Sequence, residues 1–306
     1  MATDTSSNSG LRRYAVTFSE LFRETWLGYA FVIPATFLLA LVVLYPTLRG
    51  IIMAFQEVSL LQPNEVMWVG LQNITEMLDT PEFWDAFSNT VVIATAAVSL
   101  EYIFGLGLAL ALKQKLPGIT FFRNVSLVTW VMPIIVMTII FRFIMQPEYG
   151  LVNIILSFFN IDTTYWFGDP TWAKPLIVVM HMWRNIPFTA VALMAAMQSI
   201  PTSLYEAAEL DGAGKLEQFR YITLPNITYV SMIMIVLHTI FTVNDFEIIY
   251  LTTGGGPLGS TEVLATYVYK LAFNEYTLGF AASIGLTMLI ILLAFTFIYV
   301  QLEDIE

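Results

Sequence analysis

Glu101, Arg184, Asn185, Asn244 and Asp245 are polar or charged side chains set inside, or directly beside, long apolar runs. Their chemistry is that of holding or passing a polar group within a lipid bilayer. A charge at the centre of a bilayer costs about 2.5–3.5 kcal/mol or more, so each must face protein or water, be neutralised, or find a partner. Arg184 lies mid-run in His181-Met182-Trp183-Arg184-Asn185-Ile186-Pro187, and Glu101 is a candidate counter-ion within the chain. Two readings stand side by side: a place along a translocation path, or a structural pair or contact to a second subunit. His181 has no accompanying cluster of ligands, so it reads as a hydrogen-bonding core histidine rather than a metal ligand.

Catalytic chemistry has little to stand on. The chain has no cysteine, which removes thiolate nucleophiles, disulfides and thiolate-bound metals. It has no glycine-rich phosphate loop with its lysine, so it is not expected to hydrolyse ATP itself. The reading is a non-enzyme with no cofactor of its own.

The elements that position these groups follow from composition. Of 306 residues, 57% are hydrophobic and only 12% charged, with a mean hydropathy of +0.72. A soluble domain carries about 25% charged residues, so the fold class is all-α and polytopic, in the membrane. The net charge of −11 disfavours nucleic acid, which needs a basic footprint, and suits a high-salt environment that screens exposed acids.

Six spans are expected, at about residues 29–48, 86–112, 124–144, 175–197, 227–243 and 276–300. Each is long enough, or nearly so, to cross a hydrocarbon core of about 30 Å. Pro133 is expected to kink the third. Gly105, Gly107, Ala109 and Ala111 supply small residues, but alternate positions do not share a helix face, so only some can allow close approach. Arg12, Arg13, Arg23, Lys113, Lys115, Arg123, Lys215 and Arg220 mark cytoplasmic segments, while 56–85 and 145–173 are acidic and external. Residues 1–28 and 301–306 then form cytoplasmic tails around a transmembrane domain at 29–300. Residues 1–10 read as disordered and lack the pattern of a cleavable signal.

Residues 201–225, PTSLYEAAELDGAGKLEQFRYITLP, interrupt the apolar pattern on the cytoplasmic side. Ser203 with Glu206 three residues on is a capping-box signature, followed by good helix formers. Asp211-Gly212-Ala213-Gly214 is a turn signal. A second short helix, from Lys215, is expected to stop at Leu224-Pro225. The insert therefore has a shape, and reads as a docking surface.

Its residues resemble the conserved cytoplasmic loop of binding-protein-dependent ABC importer permeases, named for its Glu-Ala-Ala triplet. The matching positions are Ile200-Pro201, Leu204-Tyr205-Glu206-Ala207-Ala208, Asp211-Gly212-Ala213, Phe219, Ile222 and Leu224-Pro225. The family's further proline, four residues beyond the Leu-Pro pair, is Tyr229 here. Thr253-Gly254-Gly255-Gly256-Pro257, Ser260-Thr261 and the Tyr267 to Tyr269 run are similar to the sugar-permease branch, in particular to the first permease of the maltose and glycerol-phosphate systems.

The resemblance implies a type I importer fold in which Tyr205, Glu206, Ala207, Ala208, Asp211, Gly212 and Ala213 couple to an ATPase. It also implies a second permease subunit, two cytoplasmic ATP-hydrolysing subunits, and a solute-binding protein that could touch Gly255, Gly256 and Pro257. The cargo would be a carbohydrate or related polyol. The rival class is a self-sufficient secondary transporter or channel using Glu101 and Arg184 as coupling charges; a third is a membrane assembly factor that carries no solute.

Overall fold

The computed structural model describes residues 18–114 and 117–303. The expected tail at 1–10 and the cations Arg12, Arg13 and Lys115 lie outside these residues. Two compact units divide at Ile52. The first holds helix α1 (Phe18–Leu39), a π-helical turn (Ala40–Leu44) and nearly all of α2 (Tyr45–Met53), which together form one apolar run over Gly28–Met53. Helix begins at Phe18, ahead of the boundary expected at residue 29, so part of the expected N-terminal tail is helical.

The second unit begins with a two-stranded antiparallel ribbon, β1 (Gln56–Glu57) and β2 (Met67–Trp68), followed by α3 (Gln72–Asp79). Then come α4 (Pro81–Leu112), α5 (Ile119–Val131), α6 (Ile134–Ile144), α7 (Leu151–Ser157) and α8 (Pro170–Gln198). Next are α9 (Thr202–Leu210), α10 (Lys215–Gln218), a π-helical turn (Phe219–Thr223), α11 (Leu224–Val243), α12 (Glu247–Thr252), α13 (Leu264–Tyr269), a further π-helical turn (Lys270–Asn274) and α14 (Leu278–Glu303). Among the described residues five helical runs are long and apolar enough to cross a membrane, or six if the bent pair α5 and α6 is one span. The fold is an all-α, polytopic membrane fold.

Two spans start earlier than their apolar stretches because proline serves at the first turn, where no backbone donor is needed. Helix α4 begins at Pro81 and α8 at Pro170, where Asp169 Oδ1 accepts from Thr171 N at 2.7 Å.

The third span departs furthest from expectation. Pro133 does not kink one helix; it separates α5 from α6, whose axes differ by 96°. Met132 before it is extended, at φ −61° and ψ 131°, as the residue preceding a proline prefers. The expected stop at Leu224-Pro225 is also corrected, because the helix runs on from Lys215 to Val243. The π-helical turn pairs Leu224 N with Phe219 O, so the ladder has shifted register just where Pro225 offers no N–H.

Helices α4 and α8 form the spine. At one end Ile93 and Ala97 pack with Ile177, Val178 and Met180, joined by Met137, Ile248 and Ile249. At the other, Ala109 and Leu112 pack with Ala190, Leu193, Met194 and Met197, joined by Ile227. Between them Gly105 meets Thr189: a Cβ built on Gly105 would lie 2.8 Å from Thr189 Cγ2, while one on Gly107 would meet nothing within 4 Å. The small-residue run thus makes its close approach at one of its two glycines.

Gly105→Val is expected to destabilise the detergent-solubilised protein by about 1–3 kcal/mol through overpacking, and Gly107→Val to leave it near wild type. Thermal unfolding of both variants checks this; equal midpoints would refute the close approach.

Candidate functional site

Glu101 is 2% exposed and lies between the two apolar clusters of the spine. Thr189 Oγ1 donates to its Oε1, and His238 Nδ1 of α11 lies 2.8 Å from the same oxygen. The ring lies close to the carboxyl without a directed hydrogen bond, since among the described residues neither ring nitrogen of His238 has a hydrogen-bond partner. One residue along α4, Tyr102 OH donates to Ser231 Oγ of α11 at 2.9 Å. A buried carboxylate therefore joins α4, α8 and α11.

Arg184 is not its partner. Among the described residues Arg184 enters no salt bridge, and its buried Nε has no hydrogen-bond partner. Geometry explains this. Thr189, which faces Glu101, is five residues further along α8, and at 3.6 residues per turn the two positions point about 140° apart.

Arg184 instead faces a cavity of about 480 Å³, with His181, Asn185 and Asp245 on its polar side. Trp130, Phe188, His238 and Phe241 supply aromatic walls. Trp130 and Phe188 are stacked, with ring centroids 4.9 Å apart and planes inclined by 15°. The break at Pro133 ends α5 just beyond Trp130, which places that ring at the cavity. Asp245 is fixed from two directions: Oδ2 is 3.7 Å from His181 Nδ1, and Oδ1 accepts from Ile248 N at 3.0 Å as α12 begins. Flat apolar faces beside hydrogen-bonding groups can hold a ligand that presents C–H surfaces and hydroxyls together.

The expected polar set is therefore split. Arg184, Asn185 and Asp245 converge on the cavity, and Glu101 reaches its margin through His238. Asn244 does not join them; its Nδ2 donates to Ile240 O at 2.8 Å, and it lines a separate apolar groove beside α14. The aromatic walls were not legible beforehand, because Trp130, Phe188 and Phe241 look like any other large side chains of a span.

The insert folds as helix, turn, helix. The expected capping box is not formed: Pro201 is the N-cap of α9, so Ser203 falls inside the first turn and makes no capping bond. Half of such a box forms at α10 instead, where Glu217 Oε2 accepts from Gly214 N at 2.7 Å and the glycine has no side chain to complete it. Gly212 is left-handed, at φ +83°, with Gly212 N bonded to Glu209 O and Ala213 N to Ala208 O, the paired closure that ends a helix on glycine. Lys215 Nζ, 2.9 Å from Glu209 Oε1, lies across this turn and holds the Glu209 carboxyl below the usual carboxylate range, with Gln218 assisting.

Glu206, Ala207, Asp211 and Gly212 are exposed, Ala208 and Ala213 half-buried. Leu210 and Leu216, on either side of the turn, are 90% and 78% exposed, an apolar pair that the sequence reading did not single out. Leucines flanking a glycine turn were the available signal. Tyr205 is turned inward; its hydroxyl lies 2.8 Å from Thr223 Oγ1.

In the glycine loop, Gly255 is buried at φ +90° and Gly256 and Pro257 are half-buried. Thr261 pins the loop, its Oγ1 donating to Gly256 O at 2.7 Å and sharing a hydrogen bond with Thr253 Oγ1. The neighbouring Leu258 is the exposed tip, at 98%. Among the described residues no group of three or more His, Cys, Asp or Glu could hold a metal ion.

Residues 102–304 match the profile of the family described as binding-protein-dependent transport system inner membrane component. The sulfoquinovosyl glycerol transport system permease protein SmoG of Agrobacterium fabrum is 34% identical over 269 residues, covering 88% of this chain and 87% of that protein. The trehalose/maltose transport system permease protein MalF of Thermococcus litoralis is 35% identical over 283 residues, covering 92% and 94%. In structure, the chain resembles one from a crystal structure of a bacterial ABC transporter involved in the import of the acidic polysaccharide alginate, with a TM-score of 0.83, 23% identity, and coverage of 94% and 98%.

Glu101→Ala is expected to lower stability by about 1–3 kcal/mol, the cost of leaving the buried Thr189 hydroxyl without its acceptor, and Glu101→Gln by less because an acceptor for Thr189 remains. Unfolding midpoints in detergent measure both; an unaffected Glu101→Ala would show that the carboxylate does not hold the three helices together.

Proposed function

Because the chain belongs to the family of binding-protein-dependent transport system inner membrane components, we propose that it is the permease subunit of an ATP-driven importer for a carbohydrate or related polyol. Relatives named for sulfoquinovosyl glycerol and for trehalose and maltose support that class of cargo. The observation that carries the site assignment is the cavity at Arg184, Asn185 and Asp245, walled by the stacked Trp130 and Phe188. Aromatic faces take the C–H face of a sugar ring, and the amide, carboxylate and guanidinium take its hydroxyls.

In this reading the chain forms half of the pathway, a second permease the other half, and two ATP-hydrolysing subunits drive them. A solute-binding protein delivers cargo from outside, with the glycine loop at Gly255, Gly256 and Pro257 on the side it approaches. Both termini and the insert at 201–225 face the cytoplasm. Helix α9 and its turn dock on an ATPase subunit through Glu206, Ala207, Ala208, Asp211 and Gly212, with Leu210 and Leu216 as the apolar contact. Alternating access then requires the cargo and nucleotide to favour different states of the gate.

Reconstitution tests this. Vesicles holding this chain, the second permease, the ATPase and the binding protein are expected to accumulate the cognate carbohydrate only with ATP. Uptake by the chain alone would overturn the proposal. In the full system Trp130→Ala is expected to raise the KM for uptake about three- to tenfold, from the loss of one stacking contact. Glu206→Lys is expected to leave the chain in the membrane but to cut uptake by at least about tenfold through a misplaced charge at the docking surface. Normal uptake with normal assembly would remove Glu206 from that surface.

A further inference from the structure

Tyr205 sits in the middle of the proposed docking helix, yet its side chain does not face where a docking partner would sit. It packs against the apolar cluster formed by α4, α8 and the start of α11, beside Ile222. Its hydroxyl shares a hydrogen bond of 2.8 Å with Thr223 Oγ1, itself only 4% exposed. Lys113, which caps the end of α4, lies 4.9 Å from the centre of its ring, within range of a cation–π contact. One side chain of α9 thus touches the ends of two spans.

Those two spans continue to the cavity. Thr223 closes the π-helical turn that feeds directly into α11, and His238, a cavity wall, follows fifteen residues later, roughly 22 Å along a helix. Lys113 ends α4, whose Glu101 faces that same His238. Tyr102 with Ser231, and Glu101 with His238, cross-link α4 to α11 on the way. The helical run carrying Thr223 and His238 is unbroken from Lys215 to Val243, so a displacement at its first turn is carried along it.

We infer that Tyr205 is a positioning residue that latches α9 to the first turn of α11, so that movement of the docking helix reaches the cavity through α11. This rests on the reading of residues 201–225 as the ATPase-docking surface, and goes beyond it by assigning Tyr205 to the inward face. Glu206 and the exposed leucines receive the partner; Tyr205 passes the movement on. Without its hydroxyl, α9 still folds, because its Gly212 closure and the Lys215–Glu209 contact do not involve Tyr205.

The experiment uses the complete reconstituted importer and reads solute taken up per ATP hydrolysed. Tyr205→Phe keeps the ring and loses the hydroxyl; Thr223→Val keeps the shape and loses the partner. Each is expected to lower that ratio about fivefold, roughly the weight of one hydrogen bond, with Tyr205→Phe also losing the longer 3.5 Å contact from Lys113 Nζ and the ATPase subunits still co-purifying. The double variant is expected to fall no further than Tyr205→Phe alone, and Thr223→Ser to restore the wild-type ratio. A wild-type ratio in both single variants, additive losses in the double variant, or loss of the ATPase subunits from the Tyr205→Phe complex would overturn the latch. A wild-type importer without ATP-dependent uptake would instead overturn the functional reading on which the latch rests.

Discussion

A carboxylate buried in the middle of an apolar helix bundle constrains this structure more than any other single group. Glu101 has to be satisfied by its neighbours, because lipid offers no hydrogen bonds. Thr189 meets that need with a hydrogen bond and His238 lies against the same oxygen, which brings three spans to one point. The apolar clusters on either side keep water away, which strengthens the contact and makes its loss costly. The glycine at residue 105 belongs to the same arrangement. Without a side chain there, α4 approaches α8 closely enough for Thr189 to reach the carboxylate one turn away.

Around this fixed point, proline and register shifts shape the cavity. Pro133 turns the chain through nearly a right angle, so that α5 ends at Trp130 instead of continuing past it. Broken helices within a membrane are tolerated where they line a cavity, and this one does. Asp245 lies between the long span and α12, accepts from Ile248 N in the first turn of α12, and turns its other carboxylate oxygen toward His181. Charges spread along the sequence thereby meet aromatic rings in one pocket. Among the described residues Arg184 has no carboxylate partner, and it faces the cavity.

The insert at 201–225 is held together by equally local contacts. A left-handed glycine closes its first helix, a glutamate caps its second, and the lysine–glutamate contact spans the turn. Its polar and apolar exposed groups face away from the bundle, while Tyr205 faces into it. The two faces of the insert are thus distinct, one exposed and the other packed on the ends of α4 and α11.

Hydropathy and spacing by themselves determined that this is an all-α membrane protein, which polar groups lie within its spans, and where the polar helix–turn–helix insert falls. These are one-dimensional properties: an apolar run long enough for a bilayer, or a motif at set intervals, needs no partner to be read. Which groups meet was decided by tertiary structure. Glu101 pairs with His238 and not Arg184, because helical phase, not sequence distance, sets direction. Pro133 breaks a span that it was expected to kink, while Pro225 is absorbed where a stop was expected, a π-helical turn shifting the hydrogen-bond register just ahead of it. Tyr205, two positions from Ala207, belongs to the opposite face of the loop for the same reason. Rotation about a helix axis is invisible in a string of residues until something packs against it.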